Sequence, residues 1–327
     1  DGIKLMLNSS KGLPFDTYLM LPSCVPGTSF ENSGATLLSK DLKDFYKDNK
    51  ILGLAEVMNF PAVSNCEDNM IDKICDAINS NKVIDGHGAG LTPMMTNIYR
   101  AADILTDHEC NNAEEALEKV KRGMYVLIRE GSVAKNLKEL LPAVNESNSS
   151  RFCFCTDDKH IDDMINNGSI NSSIVYASKN GLKIETAIQM ATINPSTLYK
   201  LSNKGAIAPG YIADFILLDS LEDFKIFRVY KEGKLVVQDG KLLNSNDDST
   251  NISNLNSYAT NTINLPTLNE DSFKINISNE NSTKLNVIEI IPNKLESIHL
   301  KVNISDVDSM KNGVHKYFKC SPKDDLI

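Results

Sequence analysis

The sequence has 327 residues, 34 Lys and Arg against 43 Asp and Glu, a formal charge of -9, 41% hydrophobic residues and no Trp. That length suggests about two domains, and the near-average apolar content with 24% charged residues excludes a wholly disordered or fibrous chain. The acidic balance, without a block of Lys and Arg, argues against a nucleic-acid partner, because such affinity comes mostly from neutralising phosphates.

No run approaches the about 18 apolar residues that a membrane helix needs, and no signal-peptide pattern is read at the start, so the cytoplasm is the expected location. The scattered cysteines Cys24, Cys66, Cys75, Cys110, Cys153, Cys155 and Cys320 lack C-x-x-C spacing. They read as reduced thiols rather than as a disulfide framework or a structural zinc site.

Up to about residue 202, short apolar runs alternate with longer amphipathic stretches. Strands are predicted at 15–21, 51–58, 82–85, 104–106, 124–128 and 152–155. Helices are predicted at 41–48, 67–79, 113–122 and 134–141, where apolar residues recur at spacings of three and four. Such alternation implies a parallel sheet with helices packed outside it. Beyond Leu201 short β runs follow at 206–210, 213–218, 227–230 and 234–237, the last two flanking a Glu232-Gly233 hairpin turn. Residues 244–264, dominated by Asn, Ser, Thr and Asp, read as a linker. A further apolar pattern at 285–305 opens another β-rich region.

Reactive side chains gather at the ends of the predicted strands: Pro22-Ser23-Cys24, Glu56, His87, Asp107-His108-Glu109, Arg129-Glu130-Gly131-Ser132 and Thr156-Asp157-Asp158. In (β/α)8 barrels the active site is built there, by residues from several strands. His87 and His108 end consecutive strands while Glu56 and Asp157 end two others. Imidazole with carboxylate is a ligand set for Zn, Mn or Fe(II), and such an ion brings the pKa of bound water to near 7. The pattern reads as a metal hydrolase site on a barrel.

The motifs Leu13-Pro-Phe-Asp-Thr-Tyr-Leu-Met-Leu-Pro-Ser-Cys-Val-Pro26, Leu54-Ala-Glu-Val-Met-Asn59, Asp85-Gly-His87, Thr106-Asp-His-Glu-Cys110, Arg122-Gly-Met-Tyr-Val-Leu-Ile-Arg-Glu-Gly-Ser132 and Thr156-Asp-Asp-Lys-His160 together resemble the bacterial adenine deaminases of the amidohydrolase superfamily. Ala191-Thr-Ile-Asn-Pro195, Gly205-Ala-Ile-Ala-Pro-Gly210 and Ala213-Asp214 are similar to the wider superfamily's signature before its small β domain. The resemblance covers roughly residues 1–243 and, more weakly, the tail.

It implies hydrolytic deamination of adenine to hypoxanthine and ammonia, with a divalent, binuclear metal centre of Mn or Fe, Zn being an alternative. By that resemblance Glu56 bridges the two ions, His87 and His108 are ligands, and Asp157 holds a metal and orients the water. Glu109 is the candidate acid that protonates the ring, or else only orients His108. Ser23, Arg129, Glu130 and Ser132 are candidate purine contacts, or braces of the rim. Asp158 and His160 are expected as supports of the ligands. The expected partners are a small purine and a second copy of the chain in a homodimer, with neither nucleic acid nor membrane.

Two features depart from the family pattern. Gly88-Ala89 stands where Ala-Pro is expected, and the superfamily's His-x-His pair is absent. Six predicted strands also fall short of the eight of a closed barrel. The expected fold is therefore α/β, a (β/α)8 TIM-type barrel without its first two strands, plus a small β-sandwich-like domain and the start of a C-terminal α+β domain. The expected divisions are 1–202 for the partial barrel, 203–243 for the β domain, 244–266 for the linker and 267–327 for the beginning of a C-terminal adenine-deaminase-type domain. The sequence reads as an internal segment of a longer chain, and the segment alone is expected to be inactive.

Other chemistries fit less well. The zinc nucleobase deaminase pattern, H-x-E with P-C-x-x-C, has no match. A cyclic amidase or an N-acetylsugar deacetylase of the same superfamily lacks support from the Leu54-to-Asn59 and Ile128-to-Ser132 motifs. A purine-binding paralogue without catalysis would suit the missing ligands, but Glu56, His87, His108 and Asp157 all being present argues against it.

Overall fold

Among the described residues, six strands run parallel in chain order: β1 Leu19–Pro22, β2 Ile51–Val57, β3 Val83–Gly86, β4 Thr106–Asp107, β5 Tyr125–Arg129 and β6 Phe152–Cys155. β1, β2 and β3 form one ladder and β4, β5 and β6 another. Leu105 joins them, its amide donating to Ile84 (2.9 Å) and its carbonyl accepting from Tyr125 (2.8 Å). The result is an arc of consecutive neighbours.

The computed structural model describes residues 1–243, 263–269, 272, 284–291 and 297–303. Most of the linker predicted at 244–266, and most of the region predicted from 267 onward, lies outside the described residues. Two compact units are present, Asp1–Thr260 and Asn261–Ile327.

Helices punctuate the arc: α1 Gly2–Ser9, α2 Ser39–Leu42, α3 Phe60–Ser64, α4 Asp68–Asn79, α5 Pro93–Ala101, α6 Ala113–Lys121, α7 Leu137–Leu140, α8 Ile161–Asn167, α9 Ile170–Lys179, α10 Ile184–Ala191 and α11 Ile193–Leu198. Their starts follow local chemistry. Asn59, Thr92 and Asn112 each cap a helix by accepting a backbone amide, and Pro61 and Pro93 occupy first-turn positions where no amide partner is lost.

Ile51, Leu54, Val57, Phe152 and Phe154 are buried apolar residues of β2 and β6. Ile74 and Ala77 of α4 and Tyr99 of α5 pack with the β1–β3 side. Ala116 of α6, Ala177 of α9 and Met190 of α10 pack with β5 and β6.

The other face of the arc is organised by the two-residue period of strands. Val83, Asp85 and His87 form one row, Tyr125, Leu127 and Arg129 a second, and Cys153, Cys155 and Asp157 a third. Val83, Cys153 and Leu198 are buried together, with Tyr125, Leu127 and Tyr199 against them, so the end of α11 closes the base of the rows. Above that floor Asp85 accepts hydrogen bonds from Tyr199 (3.1 Å) and Thr106 (3.0 Å). Burial nevertheless drives its pKa up to about 6.

Several predicted boundaries move. β1 begins at Leu19 rather than at residue 15, because its partner β2 begins at Ile51 and no earlier residue has a strand to pair with. Helix 41–48 is instead α2 followed by a 3-10 turn, Lys43–Lys47. The helix predicted from 134 starts at Leu137, since the Ala134 carbonyl closes a turn on Gly131 and Lys135 bridges Glu130. The β run predicted at 206–210 is a turn segment without a strand, because Pro209 offers no amide and Gly210 has φ +87°.

After α11 the chain builds an antiparallel sheet, β7 Phe215–Leu218, β8 Ile226–Lys231, β9 Lys234–Gln238 and β10 Lys241–Leu242, in the order β10-β9-β8-β7. Both tight turns have two successive positive φ angles, 51° and 75° at Glu232-Gly233 and 49° and 74° at Asp239-Gly240. That backbone matches the twist of a hairpin. The second hairpin has no counterpart among the predicted elements. Phe215 faces Tyr230 across the ladder, their rings stacked at 4.5 Å. In the second unit, β11 Lys284–Ile290 pairs antiparallel with β12 Ser297–Asn303. None of the cysteines among the described residues is in a disulfide, and no helix there is long and apolar enough to cross a membrane.

An ion quartet ties the β7–β10 sheet to the segment leading into β1. Lys204 lies 2.6 Å from Asp16 and 2.5 Å from Asp214, and Lys231 lies 3.1 Å and 3.2 Å from the same pair. The Lys204 hydrogen bond, against partial burial and with help from Lys231, holds Asp16 below the usual carboxylate range. Burial opposes the same shift at Asp214, and Lys204, the Glu232 amide and Lys231 overcome it.

Two predictions follow from these contacts. A Cβ on Gly53 would collide with the Val83 carbonyl and the Met20 side chain, so Gly53→Ala is expected to lower the unfolding free energy by about 1–3 kcal/mol in urea titration. Asp16 and Asp214 titrate lower folded than unfolded, where an Asp has a pKa of about 3.9. Their stabilisation is thus present above about pH 4 and is lost as pH falls through the folded values. Thermal melts should show Asp16→Asn lowering Tm at pH 6 and far less at pH 3.

Candidate active site

The ladder between β2 and β3 slips register between Leu54 and Val57, an irregularity of the kind that re-aims a strand-end side chain. Glu56 lies in that slip. Its Oε2 stands 3.0 Å from His87 Nδ1 and 2.7 Å from His108 Nε2. The imidazoles meet edge to face with centroids 5.5 Å apart. Each reaches the rim from the end of its own strand, His87 after β3 and His108 after β4. Tyr99, fully buried on α5, fixes the His87 end by accepting its backbone amide at 2.7 Å and donating to the Val57 carbonyl.

A second group adjoins the first. Glu109 approaches His108 Nε2 at 3.3 Å and pairs with Arg129, which also reaches Asp157 at 2.8 Å. Glu109 and Arg129 are almost fully buried, while the Asp157 side chain is 40% accessible. Asp157 follows β6 in a left-handed backbone conformation, φ +50°.

The charge balance follows from these distances. Burial works against the Glu56 carboxylate, yet the hydrogen bonds from His108 and His87 hold its pKa down at about 2. Burial likewise opposes protonation of His108, and Glu109 and Glu56 overcome it, lifting the imidazole to about 10. Glu109 is held low by His108 and Arg129 against its own burial.

These groups suit a cation. Glu56, His87 and His108 offer donor atoms all within 4.8 Å of one another, and so do His108, Glu109 and Asp157. Oxygen and imidazole donors fit Mn, Fe(II) or Zn. Three carboxylates, Glu56, Glu109 and Asp157, stand beside the imidazoles and supply negative charge for such an ion, which His108 would bind only as the neutral imidazole.

The remaining residues singled out from the sequence take other places. Ser23 is buried at the end of β1, its hydroxyl donating to the Glu56 carbonyl, while its own carbonyl accepts from the buried Lys73 at 2.6 Å. Ser132 accepts the His160 amide at 2.8 Å and donates to Asp163. Asp158 accepts the Val133 amide at 2.8 Å. Together these contacts staple the loop after β5 to the loop after β6. Glu130 receives only a long contact from the Leu137 amide, 3.4 Å, and burial moves its carboxyl upward. The His160 ring is exposed.

Gly88, the departure from Ala-Pro, has a steric reason in this chain: a Cβ there would lie 2.7 Å from Leu91 Cδ1 and 2.9 Å from Asp107 Oδ2. Sequence reasoning passes over Tyr99 and Lys119, and it singles out Asp107 at a strand end without giving it a role. For Lys119 a signal exists, since a lysine three residues after Ala116 on an amphipathic helix falls on its apolar face.

Parallel strands with intervening helices, carrying histidines and carboxylates together at the strand ends, are the architecture of barrel-type hydrolases. Residues 1–241 match the model of the amidohydrolase family, and the chain belongs to that family. Among curated relatives it is 53% identical over 240 residues to an adenine deaminase of Geobacillus kaustophilus, a match covering 73% of this chain and 42% of that protein. It is 47% identical over 249 residues to an adenine deaminase of Bacillus subtilis, covering 76% and 43%. The chain thus spans about two-fifths of the length of these relatives.

Solved structures share the fold. The β-aspartyl dipeptidase of Fervidobacterium islandicum AW-1 superposes at TM-score 0.54 with 19% identity, covering 74% of this chain and 70% of that one. The N-acetylglucosamine-6-phosphate deacetylase of Pasteurella multocida superposes at 0.52 with 12% identity, covering 71% and 70%.

The Glu109–Arg129 pair generates a stability prediction. Arg129→Met leaves Glu109 buried without its guanidinium and is expected to cost about 3–5 kcal/mol, read from the denaturant midpoint of the folded protein.

Proposed function

We propose that the protein hydrolyses adenine to hypoxanthine and ammonia. The observation that carries this reading is the 53% identity to an adenine deaminase over a 240-residue stretch. The Glu56–His87–His108 cluster supports it with a donor set suited to metal-assisted hydrolysis.

Glu56, His87 and His108 would hold a divalent ion, with Asp157 a further ligand and Glu56 shared in a binuclear centre. When bound, the ion brings the pKa of water to near 7, so that a nucleophile exists at neutral pH. The protein's own groups then manage protons and position. Asp157 orients the attacking water. Glu109, kept ionised by His108 and Arg129, takes a proton from that water and hands it to a ring nitrogen as the oxygen adds to C6. The C6–N bond then breaks, ammonia leaves with the remaining proton and the C6 oxygen becomes the carbonyl of hypoxanthine. Arg129 holds both Glu109 and Asp157, and Glu130 is taken as a contact of the purine. The same reading takes a free purine as the ligand, with neither nucleic acid nor membrane as partner, and a homodimer in the cytoplasm as the working form.

The full-length protein with added Mn(II) is expected to convert adenine to hypoxanthine, followed as an ultraviolet absorbance change. Glu56→Gln should lower kcat by at least about 100-fold. Inactivity on adenine, together with hydrolysis of a cyclic amide or an acetylated sugar, would overturn the assignment.

A further inference from the structure

Behind the two histidines lies a largely buried ion triad that the proposed chemistry does not use. Lys119, on α6, is 1% exposed, and its ammonium pairs with Asp107, itself fully buried, and with Glu115 at 2.8 Å. A lysine placed there without partners would be driven to its neutral form by desolvation. Here that desolvation is outweighed, chiefly by the charge of Asp107 and then by Cys110 and Glu115, and the group stays an ammonium.

All three side chains are spent on backbone groups of two loops. From the loop carrying His87, the Gly88 carbonyl accepts from Lys119 at 2.7 Å, the Gly88 amide donates to Asp107 at 3.3 Å, and the Gly90 amide donates to Glu115 at 2.9 Å. From the loop carrying His108, the Glu109 amide donates to Asp107 at 2.7 Å and the Asn111 amide to Glu115 at 2.9 Å. Asp107 and Glu115 each take one amide from either loop, and Lys119 locks the two carboxylates to each other. Both loops are thereby fastened to a single point on α6, immediately after each histidine.

We propose that the Asp107–Lys119–Glu115 triad is a positioning device that sets the spacing of His87 and His108 and so the affinity of the rim for a divalent ion. It acts through the loops and touches neither ion nor substrate. The inference rests on the reading of the two histidines as ligands, and not on adenine being the substrate. Groups that orient ligands from behind typically contribute about 10–100-fold in metal affinity.

The test uses the full-length protein and reads Mn(II) affinity by electron paramagnetic resonance of free Mn(II), with Tm and circular dichroism recorded in parallel. Lys119→Met should weaken Mn(II) binding by about 10–100-fold. Glu115→Gln keeps an acceptor for one loop and loses it for the other, so it should weaken Mn(II) binding at least severalfold while the circular dichroism stays unchanged. Lys121→Met, a change on the exposed side of the same helix, should leave affinity unaltered. Should Lys119→Met fail to fold, Glu115→Gln decides alone. Wild-type Mn(II) affinity in a folded Glu115→Gln protein overturns the inference. Weakened Mn(II) binding in a protein that never turns over adenine sinks the deaminase reading and upholds the triad. A wild-type protein that binds no Mn(II) overturns both.

Discussion

Two imidazoles, each from the end of a different strand, stand within 3.0 Å of Glu56 and favour its carboxylate against the cost of partial burial. That arrangement propagates outward. The β2–β3 ladder must slip at Leu54–Val57, and Tyr99 must hold the His87 amide. Ser23 must support the Glu56 carbonyl, and Lys119 must neutralise the carboxylates that fasten the two loops. Buried polar groups of this kind are costly when half satisfied. The apolar packing of helices on the outside of the arc is what keeps all of them at their distances.

The arc is graded from base to rim. Val83, Cys153 and Leu198 make a dry floor, Asp85 with Tyr199 and Thr106 forms a hydrogen-bonded middle, and the ionised groups crowd the strand ends. Polarity thus rises along each two-residue row toward the open end. Burial raises the pKa of Asp85, while Glu56, one layer higher and paired with imidazoles, carries a lowered one.

The strands and their order are legible from apolar runs, and the chemistry at their ends from residue type, because both depend on a repeating local pattern. Where a strand starts is not local: Leu19 opens β1 because Ile51 opens β2. The Asp239-Gly240 hairpin could have been read from its dipeptide, as Glu232-Gly233 was. The family motif Ala191-Thr-Ile-Asn-Pro195 gains a physical reason only from the fold, where Asn194 donates to the Ser149 and Phe152 carbonyls at 2.8 Å and anchors the start of β6. Lys119 shows the limit. Its place on an apolar helix face signals a buried partner, and Glu115 stands one turn before it at the i,i+4 spacing, but only three-dimensional proximity identifies Asp107.

The Tyr199–Asp85 contact joins residues 114 apart in sequence. Most other pairings in the arc close short strand–helix–strand loops, which form early and at low entropic cost. The middle layer therefore depends on the docking of the end of α11. Before it docks, Asp85 keeps only Thr106 as a side-chain partner and the base of the rows stands open to water. Destabilising the docking of α11 would thus loosen the rim from the base of the rows without altering a single residue at its surface.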